Sequence, residues 1–280
     1  MPDDVIRLFA DDTNIFVTSD NFSELYEKAN HILEKIREWF YNNKLTLNLD
    51  KTCYTLFSRA KIKEIYEIKC GNQNVSKVSS VKYLGVNVDE NLNWKEHVNS
   101  VCLKLKRLKC AISYLSQFTN ASHVSRIYNA YIYPHIQYGI EIYGSCSSKI
   151  LKPLQILQNK LLKTLCHKKQ RDSATVTLNE NNILSCRKLN EYFVALFVFK
   201  QQNSMLPEVF SNYFRKNSDV HTAGTRQSNN LYIINPRTSS GQRNLKYLGA
   251  KIWNNLPQNC RNATRISEFK RNLKLSMLCQ

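Results

Sequence analysis

The sequence predicts an α+β chain, with a head of short strands and one helix up to about residue 92 and a mainly α-helical body after it. Three observations carry that division. In the head, apolar residues alternate or gather in short runs bounded by Asn, Asp and Gly, the pattern of strands and turns. Beyond Trp94 they recur every three or four residues over long segments, the pattern of amphipathic helices. Charge divides the chain as well: residues 1–96 hold 13 Lys/Arg against 15 Asp/Glu, a net of −2, whereas residues 97–280 hold 27 against 7, a net of +20.

Val5-Ile6-Arg7-Leu8-Phe9 and Ile15-Phe16-Val17 flank Asp11-Asp12 and predict a β-hairpin with the acidic pair at its tip. Asn21-x-x-Glu24 resembles a capping box and opens a helix whose apolar positions are Leu25, Ala29, Ile32, Leu33, Ile36, Trp39 and Phe40, ended by Asn42-Asn43. Leu45, Leu47 and Leu49 alternate with Thr46 and Asn48, which predicts a half-buried strand, and Tyr54 to Phe57 a further one. Ile65 to Cys70 and Asn74 to Val78 predict a hairpin around Gly71-Asn72. Val81 to Asp89 predicts another extended run, containing Tyr83-Leu84-Gly85.

In the body, Val98, Val101, Cys102, Leu105, Leu108, Ile112 and Leu115 form one helical stripe, with Lys104, Lys106, Arg107 and Lys109 on the other faces. A helix over 123–133 is expected to close at Pro134, and further helices follow over 150–166 and 187–202. A polar loop at about 215–230 has the composition of a linker. Leu231 to Ile234 then predicts a strand, and 245–256 and 266–278 predict helices.

Composition narrows the function classes. A chain of 280 residues, 42% hydrophobic with 7 Gly and 6 Pro, can bury a sizeable core and is not of low complexity. An excess of positive charge this large points to a polyanionic partner, nucleic acid first and an anionic membrane surface second. The nine Cys are scattered with no C-x-x-C pair, which points to reduced thiols in an intracellular protein, nuclear or cytoplasmic, without a zinc site. The longest apolar run, Phe193 to Phe199, is far short of a membrane span, and the acidic N-terminus has no signal-peptide pattern, so a soluble, non-secreted chain is expected.

Chemistry points first to Asp11-Asp12. Two acids a few ångströms apart repel, and a hard divalent cation is the usual way to keep both ionised. The plain alternative is that the pair caps a turn, a position Asp favours for local hydrogen bonding. The order of neighbours adds more. Phe9-Ala10-Asp11-Asp12 is followed by Trp39-Phe40…Asn43-Lys44-Leu45-Thr46-Leu47-Asn48…Lys51-Thr52, then by Val81-Lys82-Tyr83-Leu84-Gly85-Val86…Leu92-Asn93-Trp94…His97. In this order the chain resembles the reverse transcriptase of non-LTR, jockey-like retrotransposons. Tyr138-Gly139 and the tail Gly224-Thr225-Arg226…Tyr247-x-Gly249-x-x-x-Trp253-Asn254-x-Leu256-Pro257 are in the same style.

The resemblance implies an arrangement for the whole chain: a partial polymerase palm (antiparallel sheet with helix) over 1–92, a thumb helix region over 93–118, a helical C-terminal region over 119–215 and a tail over 216–280. It implies an RNA-directed DNA polymerase acting on an RNA template and a DNA primer through two Mg²⁺ ions. Asp11 and Asp12 would be catalytic metal ligands, and Lys51 would assist proton transfer to pyrophosphate, against the alternative of a surface lysine in a turn. Tyr83, Leu84 and Gly85 would position the primer end, against ordinary strand packing. Lys104, Lys106, Arg107 and Lys109 would follow phosphates along the thumb helix. Lys160, Lys163, Lys168, Lys169 and Arg171 form a second basic run, equally readable as a solvated helix face.

The pattern also departs from the family. A further Asp on a separate palm strand, the fingers subdomain and a nucleotide-binding helix are expected ahead of Phe9, where eight residues stand. Asp3 and Asp4 would lie roughly 25 Å from the hairpin tip at about 3.3 Å per extended residue. The expectation is therefore the C-terminal half of a reverse transcriptase, inactive alone, whose partners would include the absent N-terminal half. The alternatives are a non-catalytic basic nucleic-acid-binding protein and, third, a helical protein-interaction scaffold.

Overall fold

Asn21 shows how the local sequence sets the first long element. Its side chain accepts the Glu24 N–H at 2.7 Å and caps helix α1 (Phe22–Asn42), while the Glu24 carboxylate accepts from the Ser19 hydroxyl at 2.7 Å. At the other end Asn43 donates from its side chain to the Trp39 carbonyl, and Lys44 turns out at φ +56° so that Leu45 N–H reaches the Phe40 carbonyl. The structure, a computed structural model, describes residues 5–58, 60, 66–220 and 227–278. The chain divides into two compact units, 1–92 and 93–280.

In the first unit, strands β1 (Val5–Phe9) and β2 (Asp12–Phe16) pair antiparallel, Phe9 opposite Asp12 and Val5 opposite Phe16. α1 packs on the segment that follows it: Tyr26 is buried with Ile68, Cys70 and Val75, and Ala29, Leu33, Leu47, Leu49 and Tyr54 close around them. Asn30 of α1 pins that segment, its amide donating to Glu67 O at 3.1 Å and accepting from Lys69 N–H at 2.8 Å. β3 (Cys53–Tyr54) pairs parallel with β6 (Ser76–Lys77), and β4 (Lys69–Cys70) forms a hairpin with β5 (Gln73–Asn74) around Gly71-Asn72. β7 (Ser80–Tyr83) and β8 (Val86–Asp89) form a third antiparallel hairpin.

Several expected elements take another form here. The Leu45-Leu47-Leu49 strand is an irregular segment closed by a turn in which Thr52 N–H reaches the Asn48 carbonyl at 3.1 Å. Its alternation reflects Leu47 and Leu49 packing under α1 while Leu45 stays exposed, not membership of a ladder. Of the strand expected over 54–57, only Tyr54 pairs. Ile65 of the expected 65–78 hairpin lies outside the described residues. The single extended run over 81–89 is two strands and a turn.

The second unit is helical. α2 (Lys95–Arg107) and α3 (Lys109–Ser116) carry the predicted stripe with a break at Leu108. α4 (Ala121–Ile127) runs through a wide π turn, Tyr128–Ile132, into α5 (Tyr133–Gln137). Pro134 does not close a helix as expected but sits at the start of α5, directly after the π turn. Short α6 (Ile140–Tyr143) and α8 (Ala174–Glu180) have no clear signal in the sequence, whereas α7 (Ser148–Leu165), α9 (Cys186–Gln202), α10 (Leu245–Asn254) and α12 (Ile266–Leu278) fall within a few residues of expectation. α11 is a single turn, Gln258–Arg261.

α9 explains the long apolar run in the sequence, since it packs on α6, α7, α10 and α12 and is buried on several sides. Phe199 stacks on Phe269 of α12 with centroids 4.3 Å apart. Two buried amides on these helices are satisfied: Gln158 donates to Tyr128 Oη at 2.7 Å and Leu184 O at 2.9 Å, and Asn190 donates to Ile140 O at 2.7 Å. The expected strand at 231–234 reduces to one bridge, Leu231 with Lys216, and Asn217 and Ser218 bond back to Asn230 and Ser228. The polar segment is thus folded on itself at its ends, and its centre, 221–226, lies outside the described residues.

Candidate functional site

The hairpin tip is a two-residue turn, Ala10-Asp11, with Ala10 at φ +51°, a left-handed conformation that such tight turns demand. Asp11 therefore lies on the turn, and Asp12 is the first residue of β2, opposite Phe9. The expectation that both carboxylates lie on the turn is met by Asp11 alone. Both residues are exposed. Their oxygens are the right donors for a hard cation. Among the described residues no three His, Cys, Asp or Glu side chains gather as a group able to hold a metal. Asp3 and Asp4 lie outside the described residues.

Tyr83-Leu84-Gly85 falls at the β7–β8 connection. Tyr83 is the last residue of β7, and Leu84 and Gly85 form the turn, at φ +45° and +83°, the twist that a tight hairpin needs. Strand packing therefore accounts for Tyr83 only. Its ring lies edge-on to Phe16 of β2, centroids 5.9 Å apart at 90°, so the acidic hairpin and the Tyr-Leu-Gly hairpin touch. Sequence reasoning does not single out Phe16. Lys51 stands exposed in the 48–52 turn, its backbone N–H bonded to Asn48 Oδ1 at 3.2 Å.

In the second unit, Lys104, Lys106 and Arg107 on α2 and Lys109 at the start of α3 are all exposed. The ion pairs found among the described residues are Lys28–Glu24, Arg37–Glu34, Lys69–Glu67 and Lys168–Glu180, so these four cations remain available to solvent anions. The second basic run is partly committed: Lys163 donates to Gln170 O at 2.9 Å and Lys168 pairs with Glu180 at 3.3 Å. Tyr114 and Phe118 stand out beside the first run, 63% and 73% exposed and edge-to-face at 5.2 Å. Sequence reasoning misses them as a pair, although their i, i+4 spacing after a basic helix is a signal that could find them.

Among the described residues no helix is long and apolar enough to cross a membrane. The eight described cysteines are free thiols. No protein-family model matches the chain, and no solved structure matches it. Among curated proteins it is similar to the RNA-directed DNA polymerase from mobile element jockey of Drosophila funebris, 23% identical over 164 residues, which is 58% of this chain and 18% of that protein. It is likewise 26% identical over 168 residues, again 58% of the chain and 18% of the relative, to a probable RNA-directed DNA polymerase from transposon X-element of Drosophila melanogaster. An uncharacterized protein of Caenorhabditis elegans is 34% identical over 83 residues, 28% of this chain and 39% of that protein. The resemblance to retrotransposon polymerases expected from the motifs is thus found, and the chain spans about a fifth of the length of the polymerases it matches.

Proposed function

We propose that this chain is a portion of a retrotransposon RNA-directed DNA polymerase that contributes a partial palm and a basic, thumb-like body, and that it binds template and primer without polymerising alone. The observation that carries the reading is the Asp11-Asp12 tip: an exposed acidic pair, Asp11 on a two-residue hairpin turn and Asp12 first in the strand after it, in a chain similar to polymerases of that class over 58% of its length. Asp11 and Asp12 would supply part of a Mg²⁺ cradle in the whole enzyme, whose remaining ligand the resemblance places on a separate palm strand. Lys104, Lys106, Arg107 and Lys109 would hold the RNA/DNA duplex by its phosphates, a task that needs charge and reach rather than base-edge geometry.

Primer extension on an RNA template with Mg²⁺ tests the catalytic half of this reading. The isolated chain is expected to give no product; clear extension that Asp11→Ala abolishes would overturn the inactivity. Salt-dependent binding tests the other half. Each phosphate neutralised contributes about −0.9 to the slope of log K on log salt, so alanine at the four cations flattens the slope by about that much for every phosphate no longer neutralised.

A second reading, a non-catalytic nucleic-acid-binding protein derived from such an element, is favoured by one observation: the net charge of +20 sits wholly within residues 97–280. The two separate on complementation. Adding a polypeptide that carries the fingers and remaining palm strands restores extension under the first reading and leaves the mixture inactive under the second.

A further inference from the structure

We propose that Tyr114 and Phe118 form a stacking platform for unpaired bases, so that the basic helix takes single-stranded nucleic acid over its far end. The proposal rests on the nucleic-acid reading above and adds a surface that reading does not use. Leu103, Arg107, Cys110 and Tyr114 recur at i, i+4, i+7 and i+11 along α2 and α3, across the break at Leu108 where the backbone stays right-handed helical, and Phe118 stands in the turn just past α3, its N–H reaching the Leu115 carbonyl. All five side chains are exposed. Leu105 and Ile112, on the opposite face, are 0% and 1% exposed, so the core is complete without the two rings.

Two large aromatic residues held in water at 63% and 73% exposure lose the burial that would stabilise them, and among the described residues of the second unit nothing covers them. Their chemistry and surroundings select the occupant. The rings meet edge to face at 62°, with centroids 5.2 Å apart, so they offer two differently tilted π faces. Arg107 shares the face of Tyr114, and Lys104 and Lys106 flank it. An acidic or neutral protein surface would use the charges or the rings. A strand of unpaired nucleotides uses both, phosphates on the cations and base faces on the rings, and stacking of this kind is indifferent to sequence because every base has a π face. A paired duplex keeps its bases stacked inside and gains only the charge contacts.

The experiment compares the whole chain with Tyr114→Leu, Phe118→Leu and the double variant for binding to a fluorescent single-stranded RNA oligonucleotide and to an RNA/DNA duplex, both at fixed low salt. Leucine keeps apolar volume at an exposed site and removes the π face. Each substitution is expected to weaken single-strand binding about tenfold and leave duplex binding within about twofold, and Tyr114→Phe is expected to retain binding. Equal affinity of the leucine variants for single strands, with duplex binding intact, overturns the platform and leaves the polyanion reading standing. Failure of the unmodified chain to bind either nucleic acid at low salt overturns both. A platform that serves self-association instead would show as a dimer of the unmodified chain, dissociated by the leucine variants with no change in single-strand affinity, and would also overturn the proposal.

Discussion

Phe16 and Tyr83 meet edge to face with centroids 5.9 Å apart, and through that contact the acidic hairpin is braced by the hairpin that carries Leu84-Gly85. The bracing matters because the β1–β2 ribbon has little else. Ile6, Leu8 and Phe9 are largely exposed, the sheet has two strands, and an isolated hairpin is marginal in water. A ring pair of this geometry contributes about 0.5–1.5 kcal/mol beyond its burial.

A double-mutant cycle on Phe16→Leu and Tyr83→Leu is therefore expected to show a coupling of about 1 kcal/mol in denaturant unfolding. Protection of the β1–β2 amides from hydrogen exchange should fall in either single variant. Strictly additive effects would mean that the two hairpins do not support each other.

The β7–β8 turn predicts opposite effects at neighbouring positions. Leu84 and Gly85 both have positive φ, +45° and +83°, which a residue with a Cβ resists and glycine adopts freely. Leu84→Gly is expected to raise stability by about 0.5–1 kcal/mol, and Gly85→Ala to lower it by about 1 kcal/mol or more. Unfolding midpoints of the two variants should move in opposite directions, which an effect of side-chain packing alone would not produce.

The long helices are legible because a 3.6-residue stripe needs only a core to face, and α1, α7, α9, α10 and α12 each have one. The break at Leu108 and the passage of the chain through Pro134 are not, since both depend on how neighbouring helices let the backbone widen or bend. Leu45, Leu47 and Leu49 mislead for the complementary reason: period two marks which side chains turn inward and says nothing of whether a partner strand lies alongside. At the site, apolar runs on both sides make the acidic hairpin visible. The turn at Leu84-Gly85 is hidden because an unbroken extended pattern, Val81 to Asp89, covers both strands, and leucine at positive φ is a choice that propensity does not anticipate. Tyr114 and Phe118 are visible as aromatic residues, but only their exposure separates them from core.

Gly249 accounts in physical terms for one position of the tail pattern Tyr247-x-Gly249-x-x-x-Trp253. A Cβ there would stand 2.5 Å from Phe214 Cζ, closer than real Cβ contacts come, and 3.0 Å from Val198 Cγ2, tighter than most. α10 lies against α9 at this point, so the helix needs the missing side chain to approach. Gly249→Ala gains helix propensity and is still expected to destabilise by about 1–3 kcal/mol from overpacking. Pairing it with Phe214→Leu should recover part of the loss, whereas a cost that arose only from the backbone would not be relieved.

His97, at the start of α2, gives the second unit a pH dependence with a definite sign. The ring is 3% exposed and packs against Tyr143 with centroids 4.6 Å apart. Burial, with Lys104 adding repulsion, pushes its pKa down to about 4 from an ordinary 6.5. The folded state thus holds the neutral imidazole while the unfolded chain takes up a proton, so between those values the unfolded state binds more protons and stability rises with pH. The contribution is fully present above about pH 6.5 and is lost progressively as pH falls toward 4, by up to about 3 kcal/mol at 1.36 kcal/mol for each pKa unit. Urea unfolding of the unmodified chain should weaken over that window. His97→Phe keeps an aromatic ring against Tyr143 and removes the titration, so its stability should be flatter with pH there. An unchanged pH slope in the variant would place the proton uptake elsewhere, and not at Glu191, whose pKa is raised by burial and which therefore acts with the opposite sign.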